Sequence, residues 1–422
     1  MMRIIHTSDW HLGQYFYTKS RAAEHQAFFQ WLIEQIKIHQ VDGLIVAGDI
    51  FDTGSPPSYA RELYNRFVVD LQATGCQLII LAGNHDSVAT LNESKSLLSY
   101  LNTNVITSAH TNPEEQVIVL NNRQQQPAAI VCAIPFLRPR DIMTSQAGES
   151  TRQKQAHLQQ AITEHYQACY QQALSLREQH NIAVPIIATG HLTTVGVSSS
   201  DAEREIYIGT LDAFPAQAFP PADYVALGHI HRAQTVAKTE HIRYSGSPIT
   251  LSFDELSSPK SVYLVEFDRR NLAAVTPLFV PTFQPMKLIK GSLSEIEQQL
   301  KPFADANHPQ PVWLDIEVTS QSYLGDLQKQ IELLTADLPV EVILLRRSKE
   351  QRQQMLQQHE KETLAELTVE DVFQRRLAQE SADPALDVDK KARLTTIFQQ
   401  IVDEVTSDER VEQAPQHGGS QA

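Results

Sequence analysis

From residue 1 to about 280, short apolar runs alternate with stretches of helical periodicity. The runs Gly43–Ala47, Leu78–Ala82, Pro185–Ala188 and Tyr224–Leu227 have no charged residue and are of strand length. Such runs predict strands buried on both faces. Between the early ones, Glu24–Ile38 carries Phe28, Trp31, Leu32 and Ile36 at helical spacing. The alternation predicts an α/β layered domain around a central sheet. Arg152–Gln179 reads as a long, Gln-rich, weakly amphipathic helix, expected to be a solvated face or a spacer.

The pattern then changes twice. Over roughly 283–347, Val312, Leu314, Ile316 and Val318 alternate with polar residues, as do Val340, Val342 and Leu344, which predicts half-buried strands. Helical patterns occupy Leu293–Leu300 and Tyr323–Leu334, so a small α+β domain is expected here. Further on, Thr368 can cap a helix carrying Val369, Val372, Phe373 and Leu377, with Asp371 three positions on. A second helix carries Leu394, Ile397, Phe398, Ile401, Val402 and Val405 on one face. Two short apolar-faced helices must bury those faces, on the chain's own body or on a partner. The organisation expected is therefore 1–280, 283–347, a helical pair over 360–406, and a disordered end over 407–422.

Composition adds limits. The chain has 422 residues, enough for two to three domains, with 42% hydrophobic and 20% charged residues. Its formal net charge of −15 argues against an indiscriminate binder of nucleic acid or anionic membrane. Residues 1–280 hold 20 basic and 26 acidic side chains and the remainder 15 and 24, so the shorter C-terminal part is the more acidic. The three cysteines, Cys76, Cys132 and Cys169, lie far apart with no Cys-x-x-Cys, as fits a reducing compartment. Neither a signal-peptide pattern nor a membrane-length apolar run is present, so a soluble cytoplasmic protein is expected.

The chemistry sits where the predicted strands end. The first strand runs into Ser8-Asp9-Trp10-His11, the second into Gly48-Asp49-Ile50-Phe51-Asp52, and the third into Gly83-Asn84-His85-Asp86. Gly190-His191 and Gly228-His229-Ile230-His231 follow later strands. Strand-end turns are where an α/β scaffold places its reactive groups. A single such Asp or His would be an ordinary turn residue, but five in succession define a site. Asp, Asn and His without thiolate suit Mn²⁺, Fe or Zn²⁺. This many ligands calls for two ions, which together clamp a phosphoryl group. Two ions against Asp9 and Asp49 would leave the pocket positive inside an acidic chain.

In this order, Asp-x-His, Gly-Asp, Gly-Asn-His-Asp, Gly-His and Gly-His-x-His resemble the calcineurin-like metallophosphoesterase superfamily. Thr7–Gly13, Gly48–Gly54, Thr189–Thr193, Ile206–Thr210, Gly228–Arg232, Tyr244–Pro248 and the Thr368–Leu377 helix are similar to its branch of bacterial DNA nuclease subunits. The fold this implies is a layered sandwich with a small α+β capping domain and a C-terminal helical pair. The resemblance implies one ion on Asp9, His11 and His231, a second on Asn84, His191 and His229, and Asp49 between them, with two Mn²⁺ as the expected cofactors. His85 is implied to contact the scissile phosphate and protonate the leaving oxygen, with Asp86 orienting its ring. The role of Asp52, where some relatives carry histidine, stays open.

The same resemblance implies a partner for the helical pair, a large ABC-type ATPase bound at the base of its coiled coil, and a homodimer within a heterotetramer. It implies ATP-dependent 3′ to 5′ exonuclease action on duplex DNA, and endonuclease action on single strands and hairpins, in repair, replication and recombination. No Gly-x-x-x-x-Gly-Lys-[Ser/Thr] occurs, so ATP is expected to belong to the partner. A phosphatase or cyclic-nucleotide phosphodiesterase on the same core, and a non-catalytic adaptor, are the competing expectations.

Overall fold

The computed structural model describes residues 1–144, 148–200, 202–203, 213–304, 310–319, 324–348, 373 and 393–398. It divides into two compact units, Met1–Arg346 and Arg347–Ala422.

In the first unit two six-stranded sheets lie face to face. One runs, in spatial order, Asn271–Phe279, Ser261–Asp268, Met2–Thr7, Gly43–Ala47, Gln77–Leu81, Thr103–Ile106. The other runs Gln234–Thr235, Ile242–Tyr244, Tyr224–Gly228, Ile186–His191, Pro127–Cys132, Val117–Asn121. The apolar runs build the parallel centres of both, with Ile4 opposite Gly43, Leu44 opposite Leu78 and Tyr224 opposite Ile187.

Strand residues alternate faces, and both faces are claimed. Ile4, Ile45, Ile79, Ile187 and Ala226 meet between the sheets. Ile5, Leu44 and Ile80 face outward under the helices Ala22–Ile38 and Ser58–Gln72. The layers are thus helix, sheet, sheet, helix: the α/β layering is as expected, but two sheets stand where the apolar pattern alone predicts one central sheet, as the family resemblance implies. His6 bolts the two sheets together: its Nε2 donates to the Leu227 carbonyl (3.1 Å) and its Nδ1 meets the Tyr224 hydroxyl (3.0 Å). Burial pushes its imidazole down to about 3, so the ring is neutral.

The outer helix of the second sheet is Thr151–Gln179, and here the sequence expectation is corrected. It is no spacer: Leu158, Ile162, Tyr166, Cys169, Tyr170 and Ala173 are buried against Ile130, Ile186 and Leu227. Glutamine on the outer face hid a narrow apolar stripe. Its start is fixed by Ser150 and Gln153 as a capping box. All three cysteines are free and buried.

A third, three-stranded sheet, Met286–Gly291, Val312–Val318 and Val340–Arg347, has its own core of Ile289, Ile296, Leu300, Leu314, Ile316 and Leu327. The helices Leu293–Leu300 and Leu324–Thr335 flank it. The expected half-burial of its central strand is also corrected, since Val312–Val318 is buried throughout. Trp313 stacks on Phe16 at 5.8 Å. Asp315 takes Arg346 as a two-point partner (2.6 and 3.1 Å) and Glu317 takes Lys290 (2.8 Å). The polar face is therefore paired and covered.

In the second unit the rings of Phe373 and Phe398 stack at 3.9 Å, nearly parallel. Leu394 and Ile397 are exposed. The rest of the predicted helical pair and the 407–422 end lie outside the described residues. Among the described residues no helix is long and apolar enough to cross a membrane.

Candidate metal centre and active site

The ligand-rich turns converge at one edge of the sandwich, where strands of both sheets end. Their backbones are locked together: Asp9 N–H donates to the Gly48 carbonyl, His11 N–H to that of Asp49, and Leu12 N–H to that of Ile50 (3.0, 3.0 and 2.9 Å). Asp9, His11, Asp49 and His229 all have positive φ (53°, 48°, 50° and 97°), sparsely populated for residues with side chains. Such conformations persist where the surroundings over-determine them, and they cluster at functional sites. At Gly228 the two sheets approach closely. A Cβ there would lie 1.9 Å from the Ala47 carbonyl oxygen and 2.9 Å from Ser8 Cβ.

Two triads form. Asp9, His11 and His231 bring ligand atoms within 4.8 Å of one another, and so do Asp49, His191 and His229. Asn84 joins the second, its Oδ1 2.9 Å from His191 Nε2. Asp49 faces both: its Oδ2 is 3.2 Å from His191 Nε2 and 3.7 Å from His11 Nε2. Its Oδ1 accepts the His85 amide at 2.9 Å. All seven side chains expected as ligands are thereby brought to one cluster.

The imidazoles are aimed from behind. His191 Nδ1 donates to the Ala47 carbonyl (2.9 Å), His11 Nδ1 meets Asp52 Oδ1 (3.2 Å), and His231 Nδ1 meets Glu255 Oε1 (3.2 Å). Each ring therefore turns Nε2 inward. His11 Nε2 is buried with no hydrogen-bond partner. An unpaired imidazole nitrogen among carboxylates and other imidazoles is a donor set that fits a divalent ion. Burial alone would raise the Asp49 carboxyl and lower His191. Their mutual attraction wins, holding Asp49 well below the usual carboxylate range and lifting His191 to about 9. A bound cation would take over that proton's part.

His85 stands beside this cluster, its ring 4.7 Å from that of His11 and nearly perpendicular to it. Its Nδ1 donates to the backbone carbonyl of Asp52 at 2.7 Å. This corrects the expectation that Asp86 orients the ring. The Asp86 carboxylate instead accepts three backbone amides, from Ile50 (3.1 Å), Phe51 (2.9 Å) and Gly83 (2.8 Å), and so ties the second turn to the third. Burial, with Asp49 nearby, pushes the Asp86 carboxyl up to about 6. Asp52 gains a role: its side chain holds His11 while its carbonyl holds His85.

Glu203, Glu255 and Lys260 were not legible in sequence. They lie on later segments, in no strand-end motif, and only the folded chain carries them to His231. Two arginines near the pocket are committed internally. Arg138 donates to the carbonyls of Asp86 (2.9 Å) and Thr107 (3.3 Å), and Arg232 to the Asp254 carboxylate (2.9 Å). Arg140 has an exposed side chain.

Two sheets face to face, with such a cluster at their shared strand ends, define a phosphoesterase of the calcineurin-like class. The sequence model of the calcineurin-like phosphoesterase family matches residues 2–233, and that of the type 5 capsule protein repressor C-terminal domain (SbcD_C) matches 282–381. The chain is 59% identical over 397 residues to the SbcD protein of the SbcCD nuclease from Escherichia coli K12, covering 94% of this chain and 97% of that one. It is 34% identical to the SbcD protein of Rhodobacter capsulatus (68% and 71% covered), and 29% identical to that of Bacillus subtilis (75% and 79%). The chain belongs to the SbcD family of calcineurin-like phosphoesterases.

Proposed function

We propose that this chain is the nuclease subunit of an SbcCD-type complex of the cytoplasm, cutting DNA phosphodiesters with two divalent ions, Mn²⁺ being the ion expected. What carries the reading is the gathering of Asp9, His11, His231, Asn84, His191 and His229 around the buried Asp49. Asp9, His11 and His231 would hold one ion, Asn84, His191 and His229 the other, with Asp49 Oδ2 facing both. When bound, the ions supply Lewis acidity to the phosphodiester and its attacking water.

The chain's own groups do the rest. The Asp52 carbonyl can only accept, so His85 Nδ1 carries the hydrogen and Nε2 is the atom that gains and gives a proton. A ring so fixed is suited to protonate the leaving 3′ oxygen. Asp86 keeps the turns that carry Asp49 and His85 in register. No covalent enzyme intermediate is required. Residues 1–280 form the nuclease body, 283–347 cap it and present DNA, and 360–406 bind SbcC, the coiled-coil ATPase, in a heterotetramer built on a homodimer of this chain. With that partner the activities are ATP-dependent 3′ to 5′ exonuclease on duplex ends and endonuclease on hairpins and single strands.

The test is cleavage of a labelled hairpin DNA with Mn²⁺, by wild type and His85→Gln, with and without the ATPase. Loss of one general acid lowers the rate about 10²-fold or more while Mn²⁺ binding persists. Equal rates would remove His85 from the chemistry. Hydrolysis of para-nitrophenyl phosphate but never of DNA would favour a phosphatase.

For the tail, Leu394 and Ile397 are exposed apolar residues on the predicted partner-facing helix. The double substitution Leu394→Glu and Ile397→Glu should cut co-purification with the ATPase about tenfold or more, since buried interface anchors each contribute above about 1 kcal/mol. Mn²⁺ binding should be unaltered. Undiminished co-purification would place the partner contact elsewhere.

A further inference from the structure

Behind His231 lies a buried polar network that no strand-end motif announces. Glu255 is fully buried in the short 3-10 turn Phe253–Ser257. Its Oε1 meets His231 Nδ1 at 3.2 Å and accepts the Ser200 hydroxyl at 2.8 Å. Its Oε2 accepts the Leu251 amide at 2.9 Å and the Lys260 ammonium at 2.6 Å. Lys260 in turn donates to Ser247 Oγ (2.7 Å) and to the His231 backbone carbonyl (3.1 Å). The His231 amide is held by Glu203 Oε1 at 2.6 Å. Both ends of one histidine, ring and peptide, are therefore fixed by charged groups, of which Glu255 is fully buried and Glu203 and Lys260 partly so.

Burying a carboxylate and an ammonium is costly unless each finds partners. Here every oxygen of Glu255 has two partners and Lys260 has three acceptors. The network also differs from the support of the other ion site, where a neutral peptide carbonyl, that of Ala47, backs His191. A carboxylate behind an imidazole fixes the tautomer with Nε2 bare, sets the ring's angle and makes it a stronger donor.

We propose that Glu255, held in place by Lys260, is the positioning residue that aims His231 and sets the affinity of the Asp9–His11–His231 site. The inference rests on the two-ion reading of the centre. Glu255 acts through His231 and touches no substrate. Lys260, though basic and near the pocket, is spent on this network and is not a phosphate contact.

The test measures Mn²⁺ binding directly, by calorimetry and by the spectrum of Co²⁺ in its place, on the full chain. Wild type should bind two ions. Glu255→Gln, which keeps the shape and loses the charge, should weaken one of them about 10–100-fold and leave the other unchanged. Glu255→Asp should restore part of the loss. In a His231→Asn background Glu255→Gln should have no further effect, because the residue acts through that ring. Melting temperature of each variant verifies folding. If wild type binds two ions and Glu255→Gln binds both as tightly, the inference fails and the centre stands. Equal weakening of both sites, or additive effects in the double variant, would likewise make Glu255 a general structural residue. If wild type binds no ions, the two-ion reading itself fails.

Discussion

Asp49→Asn should slow DNA cleavage roughly a thousandfold and reduce bound Mn²⁺ from two ions per chain to at most one, with the fold intact. The exchange is isosteric, yet no orientation of an amide satisfies the site. Asp49 Oδ1 accepts the His85 amide, and Oδ2 faces His191 Nε2 and His11 Nε2. If the new carbonyl keeps the His85 amide, the NH₂ group points at both ion positions and can ligate neither. If the carbonyl turns to the ions, the NH₂ meets the His85 N–H, donor against donor. Metal clamping of a phosphoryl group is worth several kcal/mol, so losing about 4 kcal/mol of it slows the reaction roughly a thousandfold. The measurement is single-turnover cleavage of hairpin DNA beside a metal titration. Activity within tenfold of wild type would show that Asp49 does not hold the ions. Chelation of wild type should reproduce the loss, reversibly on adding Mn²⁺.

The second large effect is on stability. Gly228→Ala puts a methyl group 1.9 Å from the Ala47 carbonyl oxygen, between the two sheets. Overpacking costs about 1–3 kcal/mol where flexible side chains can yield. Here the obstacle is backbone in a central strand, so the cost falls at the upper end or beyond. At about 2–4 °C per kcal/mol, the melting temperature drops by roughly 6 °C or more. Relief requires the sheets to part at the strand ends, which displaces His229 and His231. Mn²⁺ affinity should therefore fall together with the melting temperature. An unchanged melting temperature would mean that the close approach of the sheets is not tight.

How much of this was legible follows from what each residue depends on. The proposed ligands were readable because each lies within a few residues of the end of an apolar strand, so local pattern fixes its address. Asp86 was readable as part of the site but not in its role, since its partners are backbone amides of two other turns. Asp52 was ambiguous for the same reason, as its side chain and carbonyl serve different histidines. Glu255 and Lys260 carried no local signal, and their meaning arises only when the Phe253–Ser257 turn packs behind His231. The Thr151–Gln179 helix was misjudged because burial along so long a helix needs only a narrow stripe, which glutamine-rich neighbours dilute. The strand Val312–Val318 was misjudged because its acids are paired, and a paired carboxylate can be buried where an unpaired one cannot.

The strand order of the first sheet bears on how the centre comes into being. Met2–Thr7, which delivers Asp9 and His11, is flanked on one side by Gly43–Ala47 and on the other by Ser261–Asp268. Met2–Thr7 is made long before Ser261–Asp268 and thus waits beside an open edge until the ribosome has passed residue 268, and His231, proposed to complete the Asp9–His11 triad, also arrives late. Contacts spanning so much of the chain close slowly. The interval before closure is when the central strand most needs protection from foreign edges.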